Sequence, residues 1–300
     1  MERFSKKGQM RIAIIGAGKV GVAVGCMLQK KGFNIVAIAG RSKDSLCQAQ
    51  NYISGHTTQD IVEASRLANV IFITTNDDQI ERVCKNIAHA GGIDPGDMVF
   101  HFSGALSTNI LEAAKNQGAM VGAIHPLQSF ASIEGAITQL PGSFFGITAS
   151  GDTFALASEV AEELGGRVIS IKDEDKALYH TAACVASNYF VGLVHFAQGI
   201  YQDLGISREQ ALEALLPLIK GTLSNIGATG AAPALTGPID RGDISTIKKH
   251  LAAFKDKAPD KERLYCEMGK YTALVALDKG SINDDKQKEL HQILQGGKGE

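Results

Sequence analysis

The chain has 300 residues, 44% of them hydrophobic, and a formal net charge of -2. This length and balance are typical of a globular protein with one large domain or two ordinary ones, and they exclude intrinsic disorder. The net charge is near neutral and the sequence has no long basic run, so it does not indicate the basic surface that binds nucleic acid or an anionic membrane. We therefore expect neither as a partner.

The five cysteines lie far apart without a CxxC spacing, which predicts neither a zinc site nor a disulfide framework. Four glycines and Lys19 interrupt the apolar part of the N-terminal segment, which argues against a signal peptide. The uncharged stretch 181–202 is long enough to span a bilayer, but its polar side chains would lack partners there. We expect a cytoplasmic protein with no membrane span and no metal.

Apolar strands and helical segments alternate over the first 170 residues or so, the pattern of a parallel sheet covered by helices on both faces. Strands are predicted at 11–15, 34–39, 69–74, 97–101, 120–124, 144–149 and 167–171. Helices are predicted between them at 19–31, 43–51, 60–67, 77–89, 106–117 and 152–164.

From residue 173 onward the pattern is only helical, with helices predicted at 173–204, 207–227, 244–255, 260–279 and 283–295. The change of pattern predicts an α/β, doubly wound Rossmann-like domain over residues 1–172. An all-helical domain would follow over residues 173–300.

Residues 11–24 read RIAIIGAGKVGVAV, a strand, a glycine fingerprint and the start of a helix. Gly16 permits the tight turn, Gly18 lets the backbone approach phosphate oxygens, and Gly21 brings the helix against the strand. Ala17, Lys19 and Val20 complete the loop. The context predicts a dinucleotide pyrophosphate at the helix N-terminus, and a glycine-rich turn without a ligand is the alternative.

The second strand ends in Gly40, Arg41 and Ser42, where an NAD site would place a carboxylate on the adenosine ribose. A guanidinium and a hydroxyl suit a 2′-phosphate, which predicts NADP(H) as the cofactor. The alternative is that Arg41 is a solvated loop charge.

Three other predicted strand ends carry polar residues, on the edge of the sheet where such folds bind ligands. They are Thr74, Thr75 and Asn76 in ITTNDDQI, Ser103 and Gly104 in HFSG, and His125 in HPLQSF. For His101 and His125 taken singly, a buried, hydrogen-bonded structural role is the favoured interpretation, and His125 is the stronger functional candidate of the two because Pro126 would fix the loop that it begins. Asp77 or Asp78 is expected to cap the helix that follows Asn76.

DKALYH, residues 175–180, places Lys176 and His180 one turn apart at the start of a long uncharged helix. At about 100° per residue, these two side chains share a polar stripe with Ser187, Asn188 and His195, interpreted as a wall against a cleft or second subunit. We expect Lys176 to act as acid/base, His180 to orient the same oxygen or share the proton, and Asn188 to donate farther in. The alternative is an ion pair of Lys176 with an aspartate at the helix start.

LTGPIDRGDIS, residues 235–245, is a loop in which two glycines and a proline hold Arg241. A guanidinium on a rigid loop suits a carboxylate or phosphate of the substrate. Equally, Asp243 could cap the next helix and Arg241 could pair with an aspartate.

GAGKVG, GRS, HFSGA, HPLQSF, KALYHTAACVASNY and LTGPIDRGD together resemble a bacterial family of NADP oxidoreductases with a Rossmann-like domain and a helical domain of unknown function. More distantly, the layout is similar to the 6-phosphogluconate dehydrogenase superfamily, which includes ketopantoate reductase and pyrroline-5-carboxylate reductase. In several of those enzymes a catalytic lysine precedes an asparagine by four residues. Here Lys176 matches the lysine, and His180 replaces the asparagine. The resemblance also implies a homodimer formed through the helical domains.

These expectations combine into an NADP-dependent oxidoreductase that transfers hydride between nicotinamide and a small carbonyl, imine or hydroxyacid. A deazaflavin remains an open hydride partner. The rival is a non-catalytic NADP-binding redox sensor or scaffold, because a fold alone does not decide function.

Overall fold

An eight-stranded sheet organises the first part of the chain in the computed structural model, which describes residues 9–295. The strands are β1 Arg11–Ile15, β2 Asn34–Ala39, β3 His56–Thr58, β4 Val70–Ile73, β5 Met98–His101, β6 Met120–Leu127, β7 Phe144–Thr148 and β8 Arg167–Ser170. Their order across the sheet is β3, β2, β1, β4, β5, β6, β7, β8. The chain winds outward in both directions from β1 and β4, which confirms the doubly wound prediction.

The seven predicted strands are all present, and two features differ from the prediction. β3 was not predicted, because its three residues, HTT, carry no apolar run. β6 and β7 pair antiparallel, whereas all other neighbours are parallel, so the fully parallel prediction is wrong at this pair. Strands buried on both faces show the same apolar run in either direction, so the sequence pattern could not reveal the reversal.

Helices cover both faces of the sheet, as predicted. They are α1 Lys19–Lys30, α2 Lys43–Gln50, α3 Ile61–Arg66, α4 Asp77–His89, α5 Glu112–Asn116, α6 Ile133–Gln139 and α7 Gly151–Glu163. The helix predicted at 106–117 is instead a 3₁₀ turn at Thr108–Leu111 that leads into α5, and α6 was not predicted.

Two hydrophobic clusters lie on the opposite faces of the sheet. Ile12 and Ile14 of β1 belong to one cluster, and Ala13 and Ile15 belong to the other. Successive side chains of a strand point to opposite faces, so β1 is buried on both sides and holds the glycine loop firmly at its end.

The long helix predicted at 173–204 is divided into four parts. A 3₁₀ turn at Asp173–Asp175 leads into α8 Lys176–Cys184, a π-helical turn at Val185–Tyr189 follows, and α9 Phe190–Asp203 continues. A π turn bonds i to i+5 and therefore breaks the regular period of about 100° per residue. The predicted continuous stripe is thus wrong beyond Cys184.

The chain divides into two compact units between Tyr189 and Phe190, later than the boundary expected after residue 172. Side chains of α8 bond within the first unit: Lys176 donates to the Ser103 carbonyl oxygen, and the Tyr179 hydroxyl lies beside His125. The described part of the second unit is all-helical, as predicted, with α9 followed by α10 Arg208–Thr229, α11 Ala231–Ala234, α12 Ile244–Lys257, α13 Pro259–Lys279 and α14 Asp284–Ile293. Over residues 9–295, no helix combines the length and apolar character needed to cross a membrane.

Candidate functional site

The glycine loop has the geometry that the fingerprint predicts. Gly16 has a φ of +127°, and a Cβ there would lie 2.8 Å from the Thr74 backbone. A Cβ on Gly21 would lie 2.4 Å from the Gly16 carbonyl oxygen. Around Gly18, by contrast, a Cβ would meet nothing within 4 Å. Two glycines are therefore required by packing, and the third faces open space at the N-terminus of α1.

The threonines at the end of β4 divide into two roles. Thr74 Oγ1 donates a hydrogen bond to the Gly16 carbonyl oxygen over 2.8 Å and so holds the loop. Thr75 Oγ1 is buried and has no hydrogen-bond partner among the described residues. A buried hydroxyl without a partner costs free energy, which marks Thr75 as a group positioned for a ligand.

A cavity of about 410 Å³ lies beside this loop. Its lining includes Gly16, Ala17, Gly40, Arg41, Ser42, Thr75, Asn76 and Arg82. The predicted cofactor residues at the ends of β1, β2 and β4 are thus brought together. Lys19 and Val20 begin α1, immediately after this loop.

Two arginines from different elements line the cavity. The guanidinium of Arg41 makes no hydrogen bond or ion pair with a described residue, while Arg82 on α4 donates to the Gln79 side chain. The sequence reasoning missed Arg82. The available signal was its position on the helix that follows Asn76, about one and a half turns after the start of that helix.

Lys176 is the first residue of α8, and its side chain is only 1% exposed. Its Nζ donates to the Ser103 carbonyl oxygen over 3.1 Å. Burial lowers its pKa from 10.5 to about 8, although Asp173 and Asp77 act in the opposite direction. Among the described residues it forms no ion pair, because Asp173 instead accepts hydrogen bonds from Thr108. That its ammonium meets a substrate oxygen stays a prediction.

Ser103 arranges the loop above Lys176. Its hydroxyl donates to Asp77 Oδ2 over 2.7 Å and accepts from the backbone N–H groups of Ala105 and Leu106. With these bonds the Ser103 side chain fixes the turn that aims its own carbonyl at Lys176. The expected capping by Asp77 or Asp78 is wrong, since Asn76 occupies the N-cap position of α4.

His125, Tyr179 and His180 form an aromatic cluster, and its two imidazole rings lie against Gly104. The Tyr179 hydroxyl lies 3.0 Å from His125 Nδ1, and the ring of His125 is edge-on to those of Tyr179 and His180. A Cβ on Gly104 would come within 2.8 Å of both imidazole rings. Burial, with smaller effects from His180 and Lys176, lowers the pKa of His125 to about 4. His125 therefore stays neutral near pH 7.

The structure corrects the prediction that His125 begins a loop, and it adds Tyr179 to the candidate site residues. His125 does not begin a loop: it lies within β6, opposite Gly146 of β7, because the strand continues to Leu127. Tyr179 was interpreted only as part of the apolar helix surface. Its spacing of three residues from Lys176, which places both on one face of α8, was the signal that could have identified it.

The remaining candidates are less organised. Asn188 is exposed within the π-helical turn. In the second unit Arg241 is exposed, and the neighbouring Asp243 caps α12 by accepting from the Thr246 N–H over 3.0 Å, as the alternative proposed. A substrate role for Arg241 stays a prediction. Over the described range 9–295, no cluster of histidine, cysteine or acidic side chains has an arrangement that could hold a metal ion.

Residues 3–126 match the family model of a Rossmann-like domain, and residues 143–272 match that of a domain of unknown function, DUF2520. The Rossmann-like match thus precedes the DUF2520 match along the chain. This combination confirms the resemblance that the sequence motifs indicated. The DUF2520 match begins just before β7, so it includes the last two strands of the sheet as well as most of the helices of the second unit.

Solved structures share the fold over nearly the whole chain. A Bacteroides fragilis protein named as a candidate NADP oxidoreductase is 22% identical, with a TM-score of 0.70 over 95% of this chain and 99% of its own. A Thermotoga maritima protein whose name states no activity is 26% identical, with a TM-score of 0.71 over 90% and 99%. A Coxiella burnetii pyrroline-5-carboxylate reductase is 18% identical, with a TM-score of 0.57 over 94% and 98%. No curated protein matches the chain.

Proposed function

We propose that this chain is an NADP-dependent oxidoreductase acting on a small substrate. The observation that carries the proposal is the cavity beside the glycine loop, which is lined by Ala17, by Thr75 with its unpartnered hydroxyl and by two arginines. The next residue of the loop, Gly18, faces open space. These groups fit an NADP molecule, with its pyrophosphate over Gly18 and its 2′-phosphate between Arg41 and Arg82. The name of the Bacteroides fragilis protein supports the same cofactor.

A bound nicotinamide would supply or accept the hydride, and the chain's own residues would bind the substrate and handle its proton. During reduction of a carbonyl, hydride forms the new C–H bond, the π electron pair moves to oxygen, and oxygen takes a proton. Lys176, whose pKa of about 8 keeps it protonated at pH 7, is the proposed source of that proton. To donate to the substrate oxygen, its ammonium must first give up its hydrogen bond to the Ser103 carbonyl.

His125 and His180 are proposed to contact the substrate, because both are partly exposed beside Gly104 while Lys176 is buried. Asn188 and Arg241 remain proposed substrate contacts. The burial of Lys176 also supports the rival function, an NADP-binding redox sensor in which this lysine only holds the Ser103 loop. A screen of ketoacids and imines for oxidation of bound NADPH separates the two, because a sensor would oxidise none.

The first test is a titration with NADPH and, separately, with NADH, followed by the fluorescence of the reduced nicotinamide. The chain has no tryptophan, so the cofactor signal is not obscured. We expect NADPH to bind about 10-fold or more tightly than NADH, since charge-assisted bonds to a phosphate contribute roughly 1.5–3 kcal/mol. If neither cofactor binds, the oxidoreductase proposal fails.

The proposal includes a homodimer in the cytosol, formed through the helical unit. α10 carries exposed apolar side chains at Leu212, Leu216, Leu218, Leu223 and Ile226. A second copy of the chain would remove this surface from water, as the family resemblance implies.

Light scattering after size exclusion should therefore give twice the 31.8 kDa mass of the chain. Leu218→Glu combined with Leu223→Glu should shift the protein to the monomer mass, because buried carboxylates at an interface are costly. Leu67→Glu, at an exposed leucine of the first unit, serves as the control and should leave the mass unchanged. A wild-type protein that is monomeric at micromolar concentration would contradict the dimer.

A further inference from the structure

The contact between Tyr179 and His125 determines what kind of group the candidate site can bind. The Tyr179 hydroxyl lies 3.0 Å from Nδ1 of His125, and the two rings meet edge-on with centroids 5.5 Å apart. We propose that Tyr179 is a positioning residue that holds His125 in the tautomer with its proton on Nε2, so that the site presents a fixed hydrogen-bond donor.

The direction of the hydrogen bond follows from the other contacts of the phenol. The Tyr179 oxygen packs against Gly146 so closely that a Cβ there would lie 2.6 Å from it. Among the described residues, His125 Nδ1 is the hydrogen-bond partner of the Tyr179 hydroxyl. A phenol has one proton to donate, and the partly buried Tyr179 has no other acceptor among these residues, so its proton points to His125 Nδ1. A ring nitrogen that accepts a hydrogen bond carries no proton, which leaves the single proton of the neutral imidazole on Nε2.

The other ring nitrogen of His125, Nε2, is available to donate a hydrogen bond to a ligand. Nε2 of His125 lies at the Gly104 backbone, 2.8 Å from the position of an added Cβ, and beside the ring of His180. No described residue accepts a hydrogen bond from it. His125 Nδ1 is occupied, and the backbone of His125 is paired with Gly146 of β7, so this donor has a fixed direction.

The consequence for the substrate rests on the proposed function. An N–H donor pairs with an oxygen that has a lone pair, such as a carbonyl or carboxylate oxygen. A protonated imine nitrogen has no lone pair to accept it, so the substrate must offer an oxygen to Nε2, either from its reacting group or from a carboxylate beside it. The site therefore fits a substrate that carries a carbonyl, hydroxyl or carboxylate oxygen at this position.

Nitrogen-15 NMR of histidine-labelled protein tests the tautomer without substrate or cofactor. Couplings between ring protons and ring nitrogens show which nitrogen is protonated, and the His125 signals are assigned by their loss in His125→Gln. We expect wild-type protein to show His125 protonated at Nε2 at pH 7. Tyr179→Phe, which keeps the ring, should shift the Nδ1 signal towards the protonated value as the second tautomer becomes populated.

A matched pair elsewhere in the chain provides the control. His250 Nδ1 lies 2.8 Å from the Tyr265 hydroxyl, with ring centroids 5.8 Å apart. Tyr265→Phe should alter the His250 signals and leave those of His125 unchanged, and Tyr179→Phe should do the reverse.

Two results would overturn the inference. A wild-type His125 protonated at Nδ1 would reverse the hydrogen bond, and an unchanged tautomer in Tyr179→Phe would remove the positioning role of Tyr179. Either can occur while NADPH still binds in the fluorescence titration. Failure of this inference is thus distinguishable from failure of the proposed cofactor.

Discussion

Replacing Lys176 with methionine should raise the free energy of unfolding by about 2 kcal/mol at pH 7. A pKa that falls from 10.5 to about 8 corresponds to a desolvation cost of about 3 kcal/mol for the charged form. Methionine has a similar length and no charge, so the variant avoids this cost. It leaves the Ser103 carbonyl without its donor, however, which lowers the free energy of unfolding by about 1 kcal/mol. Urea unfolding of both proteins at pH 7 measures the difference.

The stability gain should depend on pH in a defined direction. Between pH 8 and 10.5 the unfolded lysine is protonated while the folded one loses its proton, so the unfolded state binds more protons. Wild-type stability therefore rises with pH across this window, and the advantage of Lys176→Met shrinks and disappears above it. Lys85→Met, at an exposed lysine paired with Glu81, is the control and should change stability by less than about 0.5 kcal/mol.

The same variant should lose activity. On any carbonyl substrate found by the screen, Lys176→Met should reduce turnover by about 10²-fold or more with little change in NADPH affinity. A variant that is more stable but inactive identifies a residue retained for chemistry at a cost to the fold. A variant that is less stable at pH 7 and still active would assign Lys176 to structural support of the Ser103 loop.

Removing both arginines of the cavity should weaken NADPH binding by about 100-fold. Arg41→Gln and Arg82→Gln each remove a charge-assisted contact to the 2′-phosphate, with an expected loss of about 10-fold for each single variant. NADH lacks this phosphate, so its dissociation constant should change by less than about 3-fold. Nicotinamide fluorescence titrations with both cofactors give the ratio.

Arg263→Gln is the control for the arginine variants. It removes the same charge from an exposed position in the second unit, outside the residues that line the cavity, and should leave both dissociation constants unchanged. Equal losses for NADH and NADPH in the Arg41 and Arg82 variants would mean that these side chains support the pocket without recognising the phosphate.

Much of the sheet unit was predictable from local chemistry. The glycine spacing indicated the first turn, and Gly16 and Gly21 indeed have no room for a Cβ there. The apolar runs gave seven strands, and the switch to purely helical sequence gave the second unit. These features depend on neighbouring residues, which a sequence displays directly.

The features that were missed depend on residues far apart in the chain. The antiparallel turn of β7 onto β6 follows from tertiary packing, and it places Gly146 opposite His125. The burial of Lys176 requires the Ser103 loop, more than seventy residues earlier. The π-helical turn at Val185–Tyr189 contains no glycine or proline that would have indicated an irregular helix. Arg82 could be recognised only once α4 was placed beside the cavity.

Gly104 and Gly146 give a way to sort natural relatives by sequence alone. A methyl group on Gly104 would strike His125 and His180, and one on Gly146 would strike the Tyr179 hydroxyl. A homologue with alanine at either position cannot retain this arrangement of rings unaltered. We expect alanine at position 146 to co-occur with a smaller residue at position 179, so the substitution pattern would divide the family into subgroups with different substrates.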